Sequence, residues 1–438
     1  MRVAPFKAQN MSLNARVVNG GEIGVAQYLQ ALAAGVEPDV RMNPILVKPE
    51  ADNRSQLVLL GRVDHQLGRR AWQERPRTLW PAALGALREL LAEYELVLME
   101  GAGSPAETNL RSTDLANMRS AHAADAAVVL VADIDRGGAF AHLYGTWSLV
   151  TDDDRRRLSA FVLNKFRGDE GLLAPAPEEL ECATGMRYAG LLPYLEHGLP
   201  DEDGAAEPMQ RPDAPRVAVI RYPTASNLDE FKPLEQVAQV VWARDPDDLA
   251  GAGLIVLPGS KNVSADLGWL RAQGFAHLLR AAATSGTRVL GICGGLQMLG
   301  VELRDPAGVD GDAVGLGLLP VCTTFGREKR TETVELEFGP LPEPWNTLTG
   351  ARVCGYEIRH GETAAIAAVE EPLPGGRGFV AGSVLGISLH GLFADAETVS
   401  ALLGARPGRL LEAVFDELAE LVEERLDMDE LARLAGVA

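Results

Sequence analysis

Short apolar runs rich in β-branched residues recur along the whole chain, and stretches with helical spacing separate them. That alternation restricts the fold more than any other feature. Parallel strands need crossover connections, helices supply them, and α/β domains follow. In the first half, Leu96–Met99, 127–131 and 158–163 read as buried strands. In the second half, Arg216–Ile220, Leu254–Leu257 and Arg288–Ile292 do. The strands of the first half end in polar or glycine-containing residues, where such sheets bind ligands. A length of 438 residues exceeds one compact core, so two domains are expected. The acidic, proline-dotted and aperiodic stretch 201–215 is the expected linker, dividing a domain over 1–200 from one over 216–438. In the tail 409–437, Leu410, Val414, Leu418 and Leu421 recur at helical spacing among carboxylates. They predict amphipathic helices that close the second domain.

Composition removes several functional classes. A formal charge of −20 repels a phosphate backbone, so nucleic acid is not an expected partner. No eighteen-residue apolar run occurs and the first residues lack a signal-peptide pattern, so a cytoplasmic protein without a membrane partner is expected. Cys182, Cys293, Cys322 and Cys354 show no CxxC spacing, which argues against a zinc site or a disulfide framework.

The strongest local signal is Gly291-Ile292-Cys293-Gly294-Gly295-Leu296-Gln297. A strand leads into it and a helical pattern follows, the context of a nucleophile elbow with its sulfur exposed on a sharp turn. Flanking glycines relieve the crowding such a turn creates, and the helix N-terminus favours thiolate over thiol. A small buried core cysteine in a glycine-rich turn fits the same spacing. His390 ends the strand-like run Gly386-Ile387-Ser388-Leu389. Alone it reads equally as a hydrogen-bonded structural histidine; with the elbow it reads as the base of a Cys–His hydrolytic pair. The Leu257-Pro258-Gly259-Ser260-Lys261-Asn262 loop follows a strand. It is either an ordinary Pro-Gly turn or, with the amides of Gly259 and Gly294, an oxyanion hole.

In this order the three pieces resemble the triad-type glutamine amidotransferases of the cobyrinic/cobyric acid synthase family. Its LPGSKN loop, GICGG elbow and LHGLF segment are all present, and Gly355-Tyr356-Glu357-Ile358-Arg359-His360-Gly361 is similar to its GYEIHxG strand. The resemblance implies a flavodoxin-like glutaminase domain in which Cys293 attacks glutamine and His390 protonates the leaving ammonia. Many related glutaminases place a glutamate two residues after the histidine. Leu392 occupies that position here, so a Cys–His dyad is expected, with the group that orients the imidazole left open.

The first half carries further motifs of the same family. Arg2-Val3-Ala4-Pro5-Phe6-Lys7-Ala8-Gln9-Asn10-Met11-Ser12-Leu13-Asn14 resembles the cobyric acid synthase branch and not the a,c-diamide synthase branch. Asn43-Pro44-Ile45-Leu46-Val47-Lys48-Pro49 matches a second segment, although the continuation through Glu50-Ala51-Asp52-Asn53-Arg54 departs from the family's. The loops beginning at Glu100, Asp133 and Asn164 match its EGAGSPAE, DIDRGG and NKFRGD motifs. The resemblance implies a P-loop NTPase-like, dethiobiotin synthetase-like amide synthetase domain using ATP, Mg²⁺ and glutamine on a corrinoid carboxylate. Glu100 and Asp133 are then the expected Mg²⁺ ligands, Asn164 the nucleotide contact, and Lys7, Lys48 and Arg136 the substrate contacts. Carboxylates at strand ends also serve simply to cap the next helix. The family opens with a strand, a Walker A loop and a helix ahead of the RVAPFK strand, and nothing here matches G-x-x-x-x-G-K-[ST]. A unit of about 30 residues is therefore expected to be missing from the recorded start. Two alternatives stay open: the a,c-diamide synthase, and a degenerate homologue without ATP-dependent activity.

Overall fold

A computed structural model describes residues 1–51, 54–68, 70, 74–200, 202, 211–408 and 411–437. Most of the expected linker (201 and 203–210), Asp52 and Asn53 of the departing segment, and Leu410 of the tail lie outside the described residues.

The second unit is built on a seven-stranded sheet. Its order is Gln239–Ala243, Arg216–Ile220, Leu254–Leu257, Arg288–Ile292, Val384–Ile387, Gly378–Ala381 and Glu370–Leu373. The first five strands are parallel and the last two add antiparallel to the edge. By position in the chain the parallel strands run 2-1-3-4-5, the flavodoxin-like order, in which ligand sites form beyond the carboxyl ends of the strands. Three of these strands have the bounds read from sequence. They are apolar on both faces because helices, among them Val263–Ala272 and Phe275–Thr284, leave no solvent face. One contiguous core runs from Val217 through Leu290 and Ile387 to Leu402. A long antiparallel hairpin, Val321–Glu337 with Arg352–Ala365, extends from this unit towards the first.

Among the described residues the first unit has no single sheet of that size. Val3–Phe6 pairs parallel with Leu96–Met99, while Arg187–Pro193, Leu158–Phe166 and Val128–Asp133 form a separate parallel sheet. Among the described residues no strand lies on the outer edge of Leu96–Met99 or of Val128–Asp133. Apolar side chains there reach solvent, with Leu98 59% and Val131 63% exposed. Where a P-loop-type domain implies one sheet, two parallel pieces stand apart. Helix Arg75–Glu93 covers the first piece with Leu79, Ala83, Ala86, Leu87 and Leu90, one stripe packed on Ala4, Phe6 and Ile45.

The tail forms helices Leu411–Arg425 and Met428–Ala435, as its periodicity predicts, but they do not close the second unit. Leu426, Leu431 and Leu434 pack on Ala160, Val162 and Ala189 of the first unit. The Asp427 N–H donates to the Ala189 carbonyl at 2.8 Å. Gly190 makes room, since a Cβ there would sit 2.4 Å from the Arg425 carbonyl oxygen. An apolar stripe encodes that a helix must be covered, not which surface covers it.

Candidate active site

Four segments converge at the carboxyl edge of the seven-stranded sheet. The Arg288–Ile292 strand runs into Cys293, which caps helix Gly294–Leu299. Cys293 takes φ 52° and ψ −106°, a conformation costly for any residue with a Cβ, so the turn is strained. Its N–H donates to the Ile387 carbonyl at 2.7 Å, fastening the turn to the neighbouring strand. A Cβ on Gly295 would lie 2.0 Å from the Leu257 oxygen, and one on Gly291 2.7 Å from the Gly295 backbone. The helix leaves the sheet this tightly only because both positions are glycine.

The sulfur is not on the outer surface, as the elbow reading expects. Cys293 is 6% exposed, with the long hairpin over it; its Sγ lies 3.9 Å from the Ile358 carbonyl oxygen. It opens instead on a cleft of about 1320 Å³. Cys293, Gln297, Lys329 and His360 line this cleft from the second unit, and Lys48 and Gln56 from the first.

His390 follows the Val384–Ile387 strand, and its imidazole lies near enough to the Cys293 sulfur for the two to interact electrostatically. On its other side Nδ1 meets Glu230 Oε1 at 2.8 Å, while the Gly391 N–H donates to Glu230 Oε2 at 2.9 Å. A carboxylate only accepts, so Nδ1 carries a proton and Nε2 is left for the sulfur. Both side chains are 1% exposed. Burial alone would push His390 down. The Glu230 carboxylate and the Cys293 sulfur outweigh it and lift the imidazole from 6.5 to about 10. Tyr356 stacks on the imidazole with ring centroids 5.3 Å apart and exchanges both backbone hydrogen bonds with His390.

The Gly259–Ser260 segment pairs with Ala225–Ser226 and presses its backbone against both groups. A Cβ on Gly259 would fall 2.7 Å from His390 Cε1, and one on Gly294 2.8 Å from the Ser260 nitrogen. The loop, the elbow and the imidazole are thus in backbone contact.

Residues 216–398 match the family described as the CobB/CobQ-like glutamine amidotransferase domain. Cobyric acid synthase of Variovorax paradoxus (strain S110) is 52% identical over 98% of this chain and 91% of that protein. The protein of that name from Paracidovorax citrulli (strain AAC00-1) is 54% identical, with the same coverage of each chain. The chain belongs to the cobyric acid synthase family. It is accordingly a glutamine amidotransferase enzyme of the carbon–nitrogen ligase kind.

The residues singled out in the first half fall into three clusters. Lys7 donates to Glu100 Oε1 at 2.8 Å, and Gln27 and Gln30 donate to Glu100 Oε2 at 3.1 and 2.7 Å. Asp133 stands opposite Asn164 in the strand register, 3.2 Å from Lys165 Nζ and 3.4 Å from Arg136 Nε. Lys48 belongs to neither cluster. It donates to Glu22 Oε2 at 2.6 Å on the wall of the Cys293 cleft. Glu22 also takes Lys329 of the second unit. Burial alone would raise the Glu22 carboxyl; Lys329 and Lys48 outweigh it and hold the group near 2. Lys329, buried and close to Lys48, is pushed down to about 7. Among the described residues no group of three His, Cys, Asp or Glu side chains is arranged to hold a metal. Mg²⁺ commonly takes one or two carboxylates with phosphates and water. Glu100 and Asp133 stand at strand ends with side chains 37% and 28% exposed, and each is engaged by the side chains named above.

Sequence reasoning missed Glu230, which takes up the imidazole that a dyad would leave without an acid. The acid comes from 160 residues upstream, while Leu392 is buried in the core. The only local signal was the pair of adjacent carboxylates Asp229-Glu230 soon after the first strand of the unit.

Proposed function

We propose that this chain is a cobyric acid synthase. In this reading it uses glutamine and ATP to amidate the b, d, e and g carboxylates of adenosylcobyrinic acid a,c-diamide in cobalamin biosynthesis. The observation that carries the glutaminase half is the Cys293–His390–Glu230 relay facing a cleft shared with the first unit. Cys293 passes its thiol proton to His390 and attacks the glutamine carboxamide carbon, and backbone N–H groups of Gly294 and the Gly259–Ser260 loop stabilise the oxyanion. The resulting imidazolium of His390 gives that proton to the departing ammonia. His390 then takes a proton from water, which cleaves the glutamyl thioester to glutamate. Glu230 holds the ring so that Nε2 faces the sulfur through both steps.

In the synthetase half, ATP with Mg²⁺ supplies phosphoryl activation of the carboxylate that the ammonia then captures. Glu100 and Asp133 would hold Mg²⁺, Asn164 would contact the nucleotide, and Lys7, Lys48 and Arg136 would meet substrate carboxylates. The KAQNMSLN segment and the full-length relatives favour this over the a,c-diamide synthase. Mass spectrometry of corrinoid products after incubation with ¹⁵N-amide glutamine tests it. Nitrogen gained at the a and c positions, in place of b, d, e and g, would reverse the choice.

Calorimetry with ATP and Mg²⁺ tests the synthetase half. Binding supports the full synthase, and glutamine hydrolysis without it would leave the glutaminase half alone.

A further inference from the structure

Residues 14–16 of the first unit lie against residues 227–229 of the second. The Ala15 N–H donates to Asn227 Oδ1 at 3.0 Å, and the Leu228 N–H donates to Asn14 Oδ1 at 3.1 Å. The Arg16 guanidinium forms an ion pair with Asp229, whose side chain has no exposed surface. The same guanidinium donates to the Tyr356 hydroxyl at 2.6 Å and lies 5.0 Å from that ring's centroid. These contacts end on the two supports of the His390 ring. Asp229 immediately precedes Glu230, which holds Nδ1, and Tyr356 stacks on the imidazole face. Asn227, at the head of the segment, has φ 55°, a conformation uncommon for a residue with a Cβ and kept here by surrounding contacts.

We propose that Arg16 is a positioning residue for glutamine hydrolysis: by tying Asp229 to Tyr356 it completes the His390 site of the second unit with a side chain of the first. The proposal rests on Cys293 and His390 being the glutaminase pair. Its consequence is that the hydrolytic site is whole only while the two units are docked in this register. Undocking withdraws the guanidinium and leaves the Asp229 and Glu230 carboxylates to share the His390 ring as counter-charge. Two adjacent carboxylates that share one counter-charge compete for it. The Glu230–His390 geometry then relaxes, and misplacing a catalytic base by about 1 Å costs up to roughly a hundredfold in rate.

The test measures steady-state glutamine hydrolysis and thermal melting on the full chain. The variants are Arg16→Ala, Arg16→Lys and the double variant Arg16→Ala/Asp229→Asn. Arg16→Ala is expected to lower kcat at least about tenfold while KM moves less than about threefold, since Arg16 holds the base and not the substrate. Arg16→Lys recovers part of kcat, because an ammonium keeps the charge but does not span both Asp229 and Tyr356. The double variant, freed of the lone buried charge, regains melting temperature without regaining kcat. A folded double variant with wild-type kcat, or a loss confined to KM, overturns the proposal. If neither Arg16→Ala variant folds, Tyr356→Phe carries the test. It keeps the stacked ring and loses only the Arg16–hydroxyl hydrogen bond, so a fall in kcat supports the proposal and a wild-type kcat overturns it. Cys293→Ala separates the two levels. Hydrolysis that survives it removes the underlying glutaminase reading, whereas hydrolysis that needs Cys293 yet ignores Arg16 removes only the positioning role.

Discussion

Replacing Glu230 by glutamine probes the pair of atoms that sequence gave least reason to expect. The two carboxylate oxygens accept separate donors, Oε1 from His390 Nδ1 at 2.8 Å and Oε2 from the Gly391 N–H at 2.9 Å. Glutamine has almost the same shape but offers one acceptor and one donor. With the amide oxygen on the Gly391 N–H, the NH₂ faces Nδ1, so the ring either loses that hydrogen bond or moves its proton to Nε2, the wrong tautomer for a base facing the sulfur. Losing a hydrogen bond to a charged group costs about 1.5–3 kcal/mol, and loss of the charge beside the imidazolium adds to it. A total near 3–4 kcal/mol corresponds to a roughly 10²- to 10³-fold fall in kcat. KM should hold within about threefold, because Glu230 lies behind the ring and away from the cleft. Stability carries a second signature. His390 is raised from 6.5 to about 10 in the fold, so its extra stability is complete below 6.5 and disappears as pH rises through 10. Glu230→Gln lowers the folded value, so the melting-temperature gap to wild type is widest near pH 6 and closes towards pH 10. Glutamate release, imidazole NMR titration and melting at several pH values read these effects. A Glu230→Gln protein with wild-type kcat, or with His390 still titrating near 10, would refute the reasoning.

Cys293→Ala should abolish glutamine hydrolysis, while Cys182→Ser, at an exposed site in the first unit, leaves it intact in the same glutamate-release assay. Glu22→Gln leaves the buried Lys48 ammonium without its counter-charge, and Lys329, already pushed down to about 7, without the anion that favours its charged form. The expected cost is about 3 kcal/mol or more, read by chemical denaturation; an unchanged midpoint would contradict the structure of that cluster. Gly295→Ala drives a methyl to 2.0 Å from the Leu257 carbonyl, against backbone that cannot swing aside. Loss of more than about 2 kcal/mol is expected, and a wild-type melting temperature would show that the elbow is looser than described. Leu426→Asp should free the tail helices from Ala160, Val162 and Ala189, seen as proteolytic release of the tail ahead of the rest of the chain.

What the sequence made legible was local. Arg216–Ile220, Leu254–Leu257 and Arg288–Ile292 announce themselves because a parallel strand buried on both faces is a continuous apolar run. Leu158–Phe166 runs three residues past the expected end, since polar Asn164 and Lys165 stay in the ladder beside Asp133. The elbow was legible partly because Gly291 answers to contacts within the turn itself, Leu299 and Gly295, although Gly294 and Gly295 answer to the remote Ser260 and Leu257. The illegible parts depend on which surfaces meet. Glu230 is one acidic residue among 61 Asp and Glu, and only folding brings it to His390. The burial of Cys293 under the hairpin, and the docking of the tail on the first unit, likewise depend on partners remote in sequence.

The seam between the units is specified by charge. The first unit offers an anion, Glu22, and a cation, Arg16; the second answers with Lys329 and Asp229. Opposite polarity at the two points means that a slipped or rotated docking sets like charges against each other, which costs several kcal/mol where water is excluded. The apolar contact shared across this seam is small, centred on Ala15, Leu46 and Val58 with Ile358, so burial supplies little of the register. Buried ion pairs contribute little net stability compared with apolar packing of the same volume, and their best-attested use is to fix one arrangement over others. That use fits an enzyme whose two half-reactions must share a cleft. Arg16 reaches the His390 supports and Lys48 reaches the Cys293 cleft only in one register, and the paired charges select it.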